Sequence, residues 1–103
     1  MVKKKIIALT GNRADYDLLS YLYKYLNKDK EIDFSLIVTG AHLTAGYENS
    51  VLRMKKDGNK ILVAIENILN SDRQGSRAKA TGLLTSSLSD VLSNNVPDLF
   101  IVP

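Results

Sequence analysis

The residues best suited to chemistry lie in seven consecutive positions, Thr10-Gly11-Asn12-Arg13-Ala14-Asp15-Tyr16. Asn12 is a preferred helix N-cap, and Asp15, three residues on, comes close to a capping box. A helix started there presents backbone N–H groups that have no partner within the helix and that attract an anion. Arg13 stands in the first turn, where a planar guanidinium grips a phosphate two-pronged. Gly11 lets the chain turn ahead of the cap. The chemistry this points to is the binding of a phosphate. The same pattern also opens α/β domains that bind nothing there. One glycine is not a G-x-G-x-x-G fingerprint, and no G-x-x-x-x-G-K-[ST] occurs in the chain.

His42, the single histidine, sits in a loop bounded by Gly40 and Gly46. An imidazole titrates near neutral pH, so it suits the rim of a site, and equally a cap on the helix that follows. With one His and no Cys, the chain has no His-rich or thiolate metal site and no disulfide framework. Asp33, Asp72 and Asp98 read as loop or strand-edge charges.

These residues need elements to place them. Lys3 to Thr10 is basic and then apolar, Ile6 to Leu9, as a strand covered on both faces is. Ala14 to Asn27 has helical spacing, with Leu18, Leu22 and Leu26 recurring every four residues and Leu19 and Tyr23 alongside. A second strand, Ile32 to Thr39, has Phe34, Leu36, Ile37 and Val38 as its core. A second helix, Tyr47 to Asp57, turns Val51 and Met54 inward and is stopped by Gly58 at C′. A third strand, Ile61 to Ile65, leads into a polar connection over 67–76. The third helix, Arg77 to Asn94, carries Leu84, Leu88, Val91 and Leu92 on one face. Gly82 inside it costs ~1 kcal/mol relative to alanine, which implies close packing at that point. Pro97 precedes a fourth strand, Asp98 to Val102. Alternating strands and helices give an α/β fold with a parallel sheet and right-handed crossovers. The expected order is 3-2-1-4, Rossmann-like, with the first strand central and its carboxyl end opening on a crevice.

The 103 residues allow one domain, with 45% hydrophobic and 24% charged content ordinary for a globular chain. No run approaches the ~20 apolar residues of a membrane span, and none has the form of a signal peptide. The expectation is a cytoplasmic chain that takes no part at a membrane. The net charge of +3 comes from scattered lysines, and Tyr16, Tyr21, Tyr23 and Tyr25 follow a helical spacing. That is a solvated surface rather than a nucleic-acid platform.

Taken in order, Thr10 to Tyr16, Val38-Thr39-Gly40-Ala41-His42-Leu43, Tyr47-Glu48-Asn49-Ser50, Ile68-Leu69-Asn70-Ser71-Asp72 and Val96 to Val102 resemble the hydrolysing UDP-N-acetylglucosamine 2-epimerases. The likeness is to the enzymes of the sialic-acid and legionaminic-acid pathways. Arg13-Ala14-Asp15-Tyr16 favours the hydrolysing branch over its non-hydrolysing relatives. The resemblance spans nearly the whole chain, but only the first quarter to third of such an enzyme. It implies a GT-B fold of two Rossmann-like halves, of which residues 1–103 are part of the N-terminal one. It implies elimination of the nucleoside diphosphate across C1–C2, then hydration of the glycal to the free 2-epimer, with no cofactor and no metal. A sugar nucleotide is then the ligand. Gly11, Asn12 and Arg13 would meet its phosphates, position 17 would line the same pocket, and His42 would stand at the rim. Position 17 is often small or hydroxylated in that family. Here it is Asp17, a carboxylate, which repels a pyrophosphate. The family's principal carboxylates follow the fourth strand, so the expectation is that no catalytic residue precedes Pro103 and that the chain alone is inactive. A stand-alone nucleotide-binding or interaction module is the other reading. In either reading Leu99, Phe100, Ile101 and Val102 form an exposed apolar edge, which predicts a homo-oligomer.

Overall fold

Each strand follows from a short apolar run covered on both faces. In β1, Lys4–Thr10, Ile6, Ala8 and Thr10 point to one face of the sheet and Ile7 and Leu9 to the other. The computed structural model describes residues 3–11, 13–40, 48–65 and 74–103. The remaining elements are α1 (Arg13–Lys28), β2 (Ile32–Thr39), α2 (Glu48–Lys56), β3 (Ile61–Ile65), α3 (Gln74–Asn94) and β4 (Leu99–Ile101). The sheet is parallel, ordered β3-β2-β1-β4, as expected from the sequence. β1 lies between β2 and β4, with Ala8 level with both Leu36 and Ile101.

The successive crossovers β1–α1–β2 and β2–α2–β3 run in one direction, so right-handedness puts both helices on the same face. There Tyr16, Tyr23 and Leu26 of α1 and Met54 of α2 pack on Ile6, Ala8, Phe34, Leu36 and Val38. The aromatic rings form a chain, Tyr16 to Tyr23 at 5.8 Å and Tyr23 to Phe34 at 5.4 Å between centroids. The next crossover reverses direction and carries α3 to the opposite face. Its Leu84, Leu88, Val91 and Leu92 lie against Ile7, Ile37 and Ile65.

The inward face of α1 differs from the leucine stripe expected from the sequence. Leu18 is 80% exposed and Leu22 39%, whereas Tyr16 and Tyr23 are buried. A spacing of four overshoots the 3.6-residue turn by about 40° at each step, so Leu18, Leu22 and Leu26 wind around the helix and only Leu26 reaches the core. Three further expectations change. α3 starts at Gln74, so the polar connection is shorter than expected. An added Cβ at Gly82 would meet nothing within 4 Å, so that glycine is not a close-packing residue. β4 is three residues long and half-exposed, with Leu99 and Val102 open to solvent.

α2 ends as expected. Gly58 is at φ +94°, Asn59 N–H donates to the Met54 carbonyl at 3.1 Å and Gly58 N–H to that of Lys55 at 3.1 Å. That pair of bonds is a Schellman cap.

Candidate functional site

The mouth of the site is where β1 and β2 end side by side. Thr10 and Thr39 close these strands, and both are buried. The chain leaves β1 through Gly11 and enters α1 at Arg13. It leaves β2 through Gly40 at φ +65°. A Cβ built on Gly40 would stand 2.5 Å from the Gly11 carbonyl oxygen. Gly40 is therefore required twice, by its left-handed backbone and by the neighbouring chain. The two loops touch backbone to backbone, so the loop that leads to His42 begins against the turn that starts α1. Sequence reasoning assigned Gly11 to the site and gave Gly40 only as a loop bound and a motif member. The signal was its place immediately after an apolar strand.

Asp15 lies in the first turn of α1. Its carboxylate accepts the Thr10 hydroxyl at 2.5 Å and the Gly11 N–H at 3.1 Å. The side chain thus reaches back past the helix start and ties down the end of β1, one residue earlier than a capping box with Asn12 would. The Gly11 N–H is already engaged by this carboxylate. Thr10 and Asp15 are accordingly structural members of the mouth, and the sequence, which read Asp15 as a cap, did not foresee their bond.

Asp17 sits two residues further along α1, half-exposed, with Arg53 of α2 at 2.8 Å. Arg53 also lies over the Tyr16 ring, 5.3 Å from its centroid. The guanidinium compensates the Asp17 charge, which the sequence alone left facing the phosphate pocket unpaired. Below this pair the Tyr16 hydroxyl donates to Asp57 at 2.6 Å and accepts from Asn59 at 3.0 Å. Asn27 closes the network by donating to Asn59 at 2.7 Å. Burial, then Asp57, raise the Tyr16 pKa well above the ordinary tyrosine value. α1 is thereby fixed to α2 by a neutral phenol and an ion pair.

Among the expected site residues, Gly11 and Asp17 are found at or beside the mouth, and the backbone of Arg13 opens α1 there. Asn12 and His42 lie outside the described residues. Among the described residues, no group of three or more His, Cys, Asp or Glu is arranged to hold a metal ion, and no helix is long and apolar enough to cross a membrane.

No family model matches the chain. Individual proteins do. It is 37% identical over 99 residues to the UDP-N,N'-diacetylbacillosamine 2-epimerase (hydrolyzing) of Legionella pneumophila, covering 96% of this chain and 26% of that one. It is 30% identical over 102 residues to the GDP/UDP-N,N'-diacetylbacillosamine 2-epimerase (hydrolyzing) of Campylobacter jejuni, covering 99% of this chain and 26% of that one. Among solved structures, a putative UDP-N-acetylglucosamine 2-epimerase from Listeria monocytogenes superposes with a TM-score of 0.75 at 19% identity, over 97% of this chain and 24% of that one. The UDP-GlcNAc 2-epimerase of Neisseria meningitidis, solved bound to UDP-GlcNAc, superposes with a TM-score of 0.70 at 22% identity, over 95% of this chain and 25% of that one. These superpositions show a shared fold. The chain spans about a quarter of the length of the curated relatives it matches. By sequence the chain is a relative of the hydrolysing UDP-sugar 2-epimerases, and it shares the fold of UDP-N-acetylglucosamine 2-epimerases.

Proposed function

We propose that this chain is the N-terminal, partial Rossmann-like domain of a two-domain hydrolysing sugar-nucleotide 2-epimerase, and that its part of the work is to hold the pyrophosphate of a UDP-sugar. The observation that carries this is the start of α1 at Arg13, directly beyond the end of the central strand, in a chain 37% identical to such an enzyme over 96% of its length. A helix N-terminus at that place favours an anion through its dipole and free N–H groups. Arg13 adds the charge, and Asn12 and His42 are the further residues expected to meet the ligand. Asp17 borders the phosphates with its charge met by Arg53.

Bond breaking is a separate matter. Expelling the nucleoside diphosphate across C1–C2 needs a base for the C2 proton. The described carboxylates near the mouth are engaged: Asp15 by Thr10 and Gly11, Asp17 by Arg53, Asp57 by Tyr16. With these described carboxylates occupied, we propose that the base comes from another part of the enzyme. The 103-residue chain should bind UDP and release none from UDP-N-acetylglucosamine. Calorimetric titration with UDP tests the first half. Arg13→Ala should weaken binding about 10- to 150-fold, the loss of one charge-assisted contact of roughly 1.5–3 kcal/mol. Unchanged affinity in that variant removes Arg13 from the site.

A further inference from the structure

Arg53 of α2 has an acid nearer in sequence than the one it pairs with. Asp57 stands one turn after it, its N–H bonded to the Arg53 carbonyl at 2.9 Å. At that spacing a base and an acid on one helix ordinarily meet. The Asp57 carboxylate is taken instead by the Tyr16 hydroxyl at 2.6 Å. The Arg53 guanidinium reaches across to α1, where one nitrogen meets Asp17 at 2.8 Å. Its central carbon lies 5.3 Å from the centre of the Tyr16 ring. That ring is buried, and its hydroxyl is held by Asp57 and by Asn59. Arg53 is thus set against Asp17 by a fixed platform, not by a chance meeting of two long side chains.

As a source of stability the pair is minor. Arg53 is 46% exposed and Asp17 53%, and ion pairs that wet contribute little. Its charge matters more than its bond. Asp17 lies four residues beyond the start of α1 at Arg13, which is about 6 Å along the helix axis. That is inside the ~8–10 Å over which charges act on one another at physiological salt. An unpaired carboxylate at that place opposes the positive field of the helix start. Paired with Arg53, position 17 carries no net charge, and the field of the helix start is left to act on an anion.

We infer that Arg53 is a positioning residue of the anion site: from α2 it holds and neutralises Asp17, and so sets how strongly the start of α1 takes a pyrophosphate. The inference rests on the pyrophosphate reading proposed above and brings α2 into that site.

Calorimetric titration of the 103-residue chain with UDP tests this, with circular dichroism to show that each variant is folded. Arg53→Gln leaves Asp17 charged and unpaired, and should weaken UDP binding on the order of three- to tenfold. Asp17→Asn breaks the same ion pair but leaves Arg53 as an uncompensated cation, so it should tighten binding about two- to fivefold. The double variant Arg53→Gln, Asp17→Asn is neutral at both positions and should recover most of the affinity lost in Arg53→Gln. The difference between the two single variants should shrink as salt rises from about 0.05 to 0.5 M. A pair that merely braced α1 against α2 would be lost equally in both single variants. Equal weakening by Arg53→Gln and Asp17→Asn, unchanged affinity in Arg53→Gln, or no recovery in the double variant overturns the inference, while UDP binding by the unmodified chain upholds the reading beneath it. No UDP binding by the unmodified chain overturns both.

Discussion

Two tyrosines on one helix have opposite relations to their own hydroxyls. Tyr16 is bonded on both sides, by Asp57 and Asn59. The Tyr23 hydroxyl is buried with no hydrogen-bond partner among the described residues. Tyr16→Phe should therefore cost about 1–3 kcal/mol, because Asp57 and Asn59 lose their partner. Tyr23→Phe should be neutral or stabilising by up to about 1 kcal/mol, since no bond is lost and a buried hydroxyl is removed. Urea titrations of both variants check the contrast. Burial, then the charge of Asp15, push the Tyr23 phenol up to about 12 from 10.0. The folded form thus holds its proton where the unfolded form has released it. The corresponding stability is fully present below pH 10.0 and is lost as the pH rises toward about 12. Circular dichroism across that range should show alkaline unfolding, less steep in Tyr23→Phe. Gly40 and Gly58 offer a second contrast. Both have positive φ, but a Cβ on Gly58 meets nothing within 4 Å, while one on Gly40 meets the Gly11 carbonyl oxygen. Gly58→Ala should cost about 1–2 kcal/mol for the left-handed backbone alone. Gly40→Ala adds an overpacking cost and should lose about 2–5 kcal/mol in the same measurement.

At the scale of elements, short apolar runs and the Gly58 stop gave the bounds of β2 and β3 from the sequence, and those of β1 and α2 within a residue or two of the observed ends. What the sequence hid was which side of a helix faces in. Tyrosine has an apolar ring and a polar tip and serves equally well inside or out. In α1 the tyrosines Tyr16 and Tyr23 went in and Tyr21 and Tyr25 stayed out. Only the 3.6-residue turn distinguishes them, and the more conspicuous leucine spacing pointed elsewhere. The candidate site was legible in its backbone signals, Gly11 and the start of α1. It was not legible in Asp15 bonding to Thr10 or in Arg53 meeting Asp17, because those pairings depend on how neighbouring elements pack. Gly82 gives a test within α3. Open space around it means that its cost is purely that of a flexible residue in a helix. Gly82→Ala should stabilise the chain by about 0.5–1 kcal/mol, read as an upward shift of the thermal midpoint.

For the molecule as a whole, the two faces of the sheet are unequal. Among the described residues, the face under α1 and α2 holds nine buried hydrophobic side chains and the face under α3 holds three. The α3 leucines and Val91 that cover the thin face are only partly buried themselves. Opening free energy follows the local density of buried contacts. Amide hydrogen exchange should then protect β1, β2 and α1 together and most strongly, with α3 exchanging through a cheaper, separate opening. Equal protection of α1 and α3 would contradict this. The sheet is thus a two-storey building with one strong floor. When the weak storey lifts, Ile7, Ile37 and Phe100 meet water while the strands stay paired and the α1 start keeps its place. A chain so built can lose a whole helix layer for a moment and still keep the turn from β1 into α1 intact.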